Sequence, residues 1–279
     1  TVTVKPNPTV AVNSPSICNG QTATLTASGA TSYTWTGGLP STATVTTPAL
    51  SANTSYTVTG TTNGCTGTAI ATVTVKPKPT VTVNSPSICS GQTATLTANG
   101  ATSYTWTGGL SGNPVTTPAL SANSSYTVTG TTNGCTGTAV ATVTVKPNPI
   151  VTVNSPSICN GQTATITANG ATTYTWTGGL SGNPATTPAL SANTTYTVTG
   201  TTNGCTGTAI ATVTVKPNPT VTVNSPSICN GQTATLTASG ATSYSWTGGL
   251  SALATVTTPA LSANTSYTVT GTTNGCTGT

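Results

Sequence analysis

The chain is close to a copy of itself every 70 or 71 residues. Its tryptophans, Trp35, Trp106, Trp176 and Trp246, are spaced by 71, 70 and 70 residues. One cysteine series, Cys18, Cys89, Cys159 and Cys229, keeps that spacing, and a second, Cys65, Cys135, Cys205 and Cys276, steps by 70, 70 and 71. Most positions between these markers are identical, so one small fold has to satisfy four near-copies of a unit. The units run 7–76, 77–146, 147–216 and 217–279. Residues 1–6 read as the end of a last strand belonging to a preceding unit, and the fourth unit lacks most of its own last strand.

Inside a unit the apolar residues alternate with threonine in short runs bounded by Gly, Pro and Asn. That is the period of a half-buried strand. In the second unit Thr80–Val83 and Thr93–Ala98 alternate, Tyr104 and Trp106 share a face, and so do Tyr126 with Val128 and Val143 with Val145. Asn133-Gly134 and Ser90-Gly91 are hairpin turn signals. No segment has helical spacing. Seven or so short strands per unit, with a Trp on the third, predict an all-β chain: a tandem array of four immunoglobulin-like β-sandwich domains. Leu50 lies six residues before Tyr56, which predicts a tyrosine corner there and at Tyr126, Tyr196 and Tyr267.

Composition narrows function by exclusion. The chain has five Lys, no Arg, Asp, Glu or His, and only 2% charged residues. General acid–base catalysis, nucleophile triads and calcium or magnesium sites draw on side chains that are missing, so no enzyme and no cofactor is expected. The lysines are scattered along the chain, which gives no footprint for nucleic acid or anionic lipid. No apolar run approaches the ~18 residues of a membrane helix. An export signal or anchor is therefore expected outside this segment, which itself is expected to make no membrane contact.

The runs ICNGQTATLTASGATSYTWTGG and ANTSYTVTGTTNGCTGTAIATVTVKP resemble the tandem Ig-like or PKD-like repeats of bacterial secreted and cell-surface proteins. The resemblance implies an exported protein, extracellular or on the bacterial surface, built as a string of sandwich beads that serve in stalks, fibres or adhesins. The absence of acidic residues departs from that pattern and removes calcium-binding linkers.

Eight evenly placed cysteines point to disulfides in an oxidising compartment. Zinc would need closer pairs, whereas the two cysteines of a unit are 46 or 47 residues apart. Cys18 precedes the second strand and Cys65 follows the sixth, at opposite ends of a sandwich. A six-residue strand is about 20 Å long, and a disulfide needs Cα atoms about 4.4–6.8 Å apart. Bonds between units are expected, Cys18 to Cys135, Cys89 to Cys205 and Cys159 to Cys276; pairing inside each unit, as Cys18 with Cys65, is the alternative. Lys5, Lys76, Lys78, Lys146 and Lys216 all precede proline in the junctions between units, as solubilising linker charges. Asn53, Asn123, Asn193 and Asn264 form Asn-X-Ser/Thr sequons that would permit glycosylation. The outward threonines, such as Thr22, Thr24, Thr26, Thr72 and Thr74, suit a pleated surface; a flat threonine array that orders ice is the competing reading.

Thr1, Val2, Thr3, Val4, Lys5 and Pro6 repeat Thr72–Pro77. Thr1, Val2, Thr3 and Val4 are candidates for addition to an unpaired sheet edge outside their own units, and the fourth unit has such an edge. The strand would come from another copy or, the favoured reading, from flanking repeats of one longer chain; either way Cys229 could bond the Cys65 of its neighbour. The expected function is a structural segment of an extracellular fibre, filament or stalk assembling head-to-tail. An adhesin array binding a glycan or protein receptor is the alternative.

Overall fold

The computed structural model describes residues 1–279. They form two compact units, Thr1–Lys146 and Pro147–Thr279, each considered by itself. There is no helix, and the chain is a tandem of immunoglobulin-like sandwich repeats.

The first repeat sets the pattern. Its strands are β1 (Ala11–Val12), β2 (Ser16–Cys18), β3 (Thr24–Ser28), β4 (Ser32–Trp35), β5 (Thr44–Thr46), β6 (Thr54–Thr62) and β7 (Cys65–Lys76). One sheet has the order β1-β3-β5 and the other β2-β7-β6-β4. The period-two sequence decides which residues meet between the sheets. Ala23, Leu25 and Ala27 alternate inward with Thr22, Thr24 and Thr26 outward, and Tyr33, Trp35, Tyr56, Val58, Ala71 and Val73 complete the core from the other side. Thr47 is the polar member, and its hydroxyl accepts from Ala23 N–H at 2.9 Å and donates to the Pro48 carbonyl at 2.9 Å. Such a buried hydroxyl is tolerated because both of its bonds are made.

The long β6–β7 hairpin is the spine. Asn63 and Gly64, with φ of 52° and 84°, form the tight turn that Asn-Gly signals. Gly60 and Gly67 face each other across it because the segment Pro8–Val10, just before β1, is laid close against them. A Cβ on Gly67 would stand 2.0 Å from the Pro8 carbonyl oxygen.

Three sequence expectations need correction. The tryptophan lies on the fourth strand of the repeat, not the third, because the first strand breaks at Asn13–Pro15 into β1 and β2, which join opposite sheets. The tyrosine whose hydroxyl closes on the backbone is Tyr33, which binds the N–H and C=O of Ala30 at 2.9 Å each; Tyr104 and Tyr244 make both bonds in the same way, and Tyr174 accepts from Ala171 N–H at 2.8 Å. Tyr56 instead packs its ring under Gly37, which explains why that turn has no side chain. Ser90-Gly91 is not a hairpin. It carries the chain from Ser87–Cys89 in one sheet to Thr95–Leu96 in the other, closed by Gln92 N–H on the Cys89 carbonyl at 3.0 Å.

Candidate functional site

The second and third repeats reproduce the four-stranded sheet of the first, each with a nine-residue and a twelve-residue strand paired along the hairpin. In the last repeat the strand opening at Cys276 runs only to Gly278, and its partner, Val269–Thr273, pairs with it only over Gly271–Thr273. Two consequences follow from the lost ladder. Residues 227–229 form no strand, although Ser16–Cys18 pairs in parallel with Thr74–Lys76 in the first repeat. The core also opens: Leu236 is 9% exposed where Leu25, Leu96 and Ile166 are 0%, and Ile228 and Val223 rise to 39% and 41%.

The result is a groove of about 690 Å³ in the last repeat. Its apolar floor comes from Leu236, Trp246, Tyr267 and Ile228, and its polar rim includes Ser225, Asn230 and Asn264. The complete repeats show what such a groove holds. Val73 sits at 0% exposure where the groove lies, and Val75 is half-buried beside Ile17. Around that segment, Thr72 N–H donates to Ser14 Oγ at 3.1 Å, Thr74 N–H to the Pro15 carbonyl at 3.1 Å and Val75 N–H to Asn53 Oδ1 at 2.7 Å. Asn19 N–H donates to the Lys76 carbonyl at 2.9 Å. The matching positions of the last repeat are Ser225, Pro226, Asn264 and Asn230.

Three of the sequon asparagines are thus strand clamps. Asn123 and Asn193 hold Val145 and Val215 as Asn53 holds Val75, each at 2.7 Å. The sequence offered these asparagines as glycosylation acceptors or as polar turn residues; their constant place twelve residues before Cys65 or its equivalents was the available signal of a structural job.

Thr1, Val2, Thr3 and Val4 pair with no strand, and Val2 and Val4 are 95% and 87% exposed. The chain thus carries an exposed strand sequence and a groove shaped by the same sequence elsewhere.

The cysteines sort by position along the spine. Cys18 pairs with Lys76 at one end of β7, and Cys65 opens the other end. Eleven residue steps at 3.3 Å place them roughly 36 Å apart, so they cannot bond each other. Cys18 bonds Cys135 of the second repeat, with Cα atoms 5.6 Å apart, and Cys159 bonds Cys276 at 5.5 Å. Both are expected pairs. Cys89 and Cys205 are also disulfide-bonded. Cys65, half-buried, and Cys229, exposed, are free. At the first junction the Cys135 sulfur lies 4.0 Å from the Lys76 carbonyl oxygen, and Lys76 Nζ donates to the Asn133 carbonyl at 3.4 Å. Lys76 therefore serves the hairpin tip of the next repeat, a use its linker position did not reveal.

The chain matches no described protein family and no curated protein. Among solved structures it is similar to the I-band fragment I67–I69 of titin, at 13% identity and a TM-score of 0.41 over 76% of this chain and 100% of that one. It is also similar to the eight N-terminal Ig domains of the Down syndrome cell adhesion molecule, at 14% identity and a TM-score of 0.30, covering 91% of this chain and 51% of that one. A third likeness is to immunoglobulin domains 1–5 of Sidekick-1, at 14% identity and a TM-score of 0.27, covering 96% and 79%.

Proposed function

We propose that this chain is a structural segment of an extracellular bacterial fibre, filament or stalk that extends head-to-tail by strand addition. The observation that carries the reading is the open groove of the last repeat together with exposed residues 1–5, whose sequence Thr-Val-Thr-Val-Lys fills the same place in the complete repeats. The occupant is that strand, brought by the next unit along the fibre, whether another copy or further repeats of the same polypeptide. Disulfides between successive repeats suit an oxidising exterior and a load-bearing string, because each closes a loop of more than a hundred residues across a junction. The division into sandwich beads at 7–76, 77–146, 147–216 and 217–279 belongs to this proposal.

The test is direct. A labelled peptide with the sequence of residues 1–8 should bind the chain saturably, and electron micrographs of concentrated protein should show filaments of bead-like repeats. Absence of both refutes strand addition. Binding of a glycan or receptor without filaments would favour an adhesin array.

A further inference from the structure

We infer that the disulfides Cys18–Cys135 and Cys159–Cys276 form a covalent bypass for tension: a pull along the array runs through strands that are already extended and leaves residues 19–134 and 160–275 unloaded, so the repeats are not drawn out into chain. The inference deepens the load-bearing reading of the fibre and rests on it.

The strands that the bonds join decide the route. In the first repeat the opening segment runs beside the spine from one end to the other. The Pro8 carbonyl lies against Gly67, near the start of β7, and Ser16–Cys18 pairs in parallel with Thr74–Lys76 at its close. Cys18 therefore ends a segment that has crossed the whole repeat. Cys135 is the first residue of the twelve-residue strand Cys135–Lys146, the spine of the second repeat. The disulfide, with Cα atoms 5.6 Å apart, joins the end of one crossing to the beginning of the next. The other unit repeats the arrangement. The Pro149 carbonyl lies against Gly207, Ser157–Cys159 pairs in parallel with Thr214–Lys216, and Cys159 is bonded to Cys276, which opens Cys276–Gly278.

The lengths show how little such a route can give. A strand rises about 3.3 Å per residue, and a fully stretched chain reaches at most about 3.6 Å. The bypass can therefore lengthen by about a tenth, with a little more from the break at Asn13–Pro15. The chain it short-circuits is far longer. Cys18 and Cys135 are 117 positions apart, as are Cys159 and Cys276. Each of those stretches would reach roughly 420 Å if pulled straight. Bonds inside each repeat, Cys18 to Cys65, would shorten the route less, since it would then take about 24 residues to pass one repeat, from Cys65 to Cys89. Bonding to the following repeat halves that to about 12, the length of the twelve-residue spine itself. Pairing between repeats is thus the choice that removes the slack, and it puts the load on covalent bonds in place of hydrogen bonds and small cores.

Single-molecule force spectroscopy on the full chain, held by handles at its two ends, tests this. In non-reducing buffer the chain should reach its limit within roughly 200 Å, without unfolding steps. Dithiothreitol should lengthen the same molecule by roughly 840 Å, in steps, as the repeats come into the line of force. That comparison depends on no variant. Cys135→Ser should lengthen the unreduced chain by roughly 300 Å or more, whereas Cys65→Ser, which removes a free thiol, should leave its extension unchanged. An unreduced chain that lengthens stepwise well beyond that limit, or an extension that neither reduction nor Cys135→Ser changes, overturns the bypass. Because the pull is made on single chains, an extensible chain overturns the bypass alone, and absence of filaments overturns head-to-tail assembly alone.

Discussion

Truncating one side chain of the donated strand separates an inserted strand from a loosely adsorbed one. Val2 corresponds to Val73, which is 0% exposed in its complete repeat, while Val2 itself is 95% exposed in the free chain. Val2→Ala removes two carbons, worth about 0.8 kcal/mol each, and leaves a small cavity, for a loss of about 1.5–2.5 kcal/mol. At about 1.4 kcal/mol per tenfold, that is a roughly 10- to 60-fold weaker Kd. Thr3 corresponds to Thr74, which faces solvent, so Thr3→Ala should change Kd by about twofold or less. Val4, matching the half-buried Val75, should fall between them. Fluorescence anisotropy of labelled peptides of residues 1–8 would measure this against the full chain carrying Val2→Lys and Val4→Lys, whose own strand no longer competes. Equal losses for Val2→Ala and Thr3→Ala, or a larger loss for Thr3→Ala, would refute inward and outward alternation in the groove.

Further outcomes follow from the same chemistry. Stability changes with pH only through groups that bind protons differently in the folded and unfolded states, and Asp, Glu and His are absent, so the melting temperature should stay within a few degrees from about pH 2 to pH 8; calorimetry across that range checks it. Because Lys5, Lys76, Lys78, Lys146 and Lys216 each precede proline, the reduced and denatured chain should still resist trypsin, and abundant cleavage in mass spectra would disprove it. Gly67→Ala sets a methyl against the Pro8 carbonyl and should destabilise the chain by about 2–3 kcal/mol in denaturant melts, whereas Thr68→Ala beside it, on an exposed position, should cost about 0.5 kcal/mol or less.

What the sequence by itself determined was the architecture, for a physical reason. Strand patterning is local: Ala23, Leu25 and Ala27 alternate with threonines whatever surrounds them, and Asn63-Gly64 can turn a hairpin because those residues tolerate positive φ. The repeat multiplied that signal, and the length of the strands favoured Cys18–Cys135 and Cys159–Cys276 over pairing of Cys18 with Cys65, a choice the structure then decided. What only the tertiary structure decided depends on which sheet edge each segment joins. The split of the first strand at Asn13–Pro15, the choice of Tyr33 over Tyr56 as the hydroxyl that binds the backbone, and the clamp at Asn53 and its equivalents all arise from neighbours distant in sequence. So does the double service of Lys76, ladder partner of Cys18 and contact of Cys135, which no spacing of residues along one strand could show.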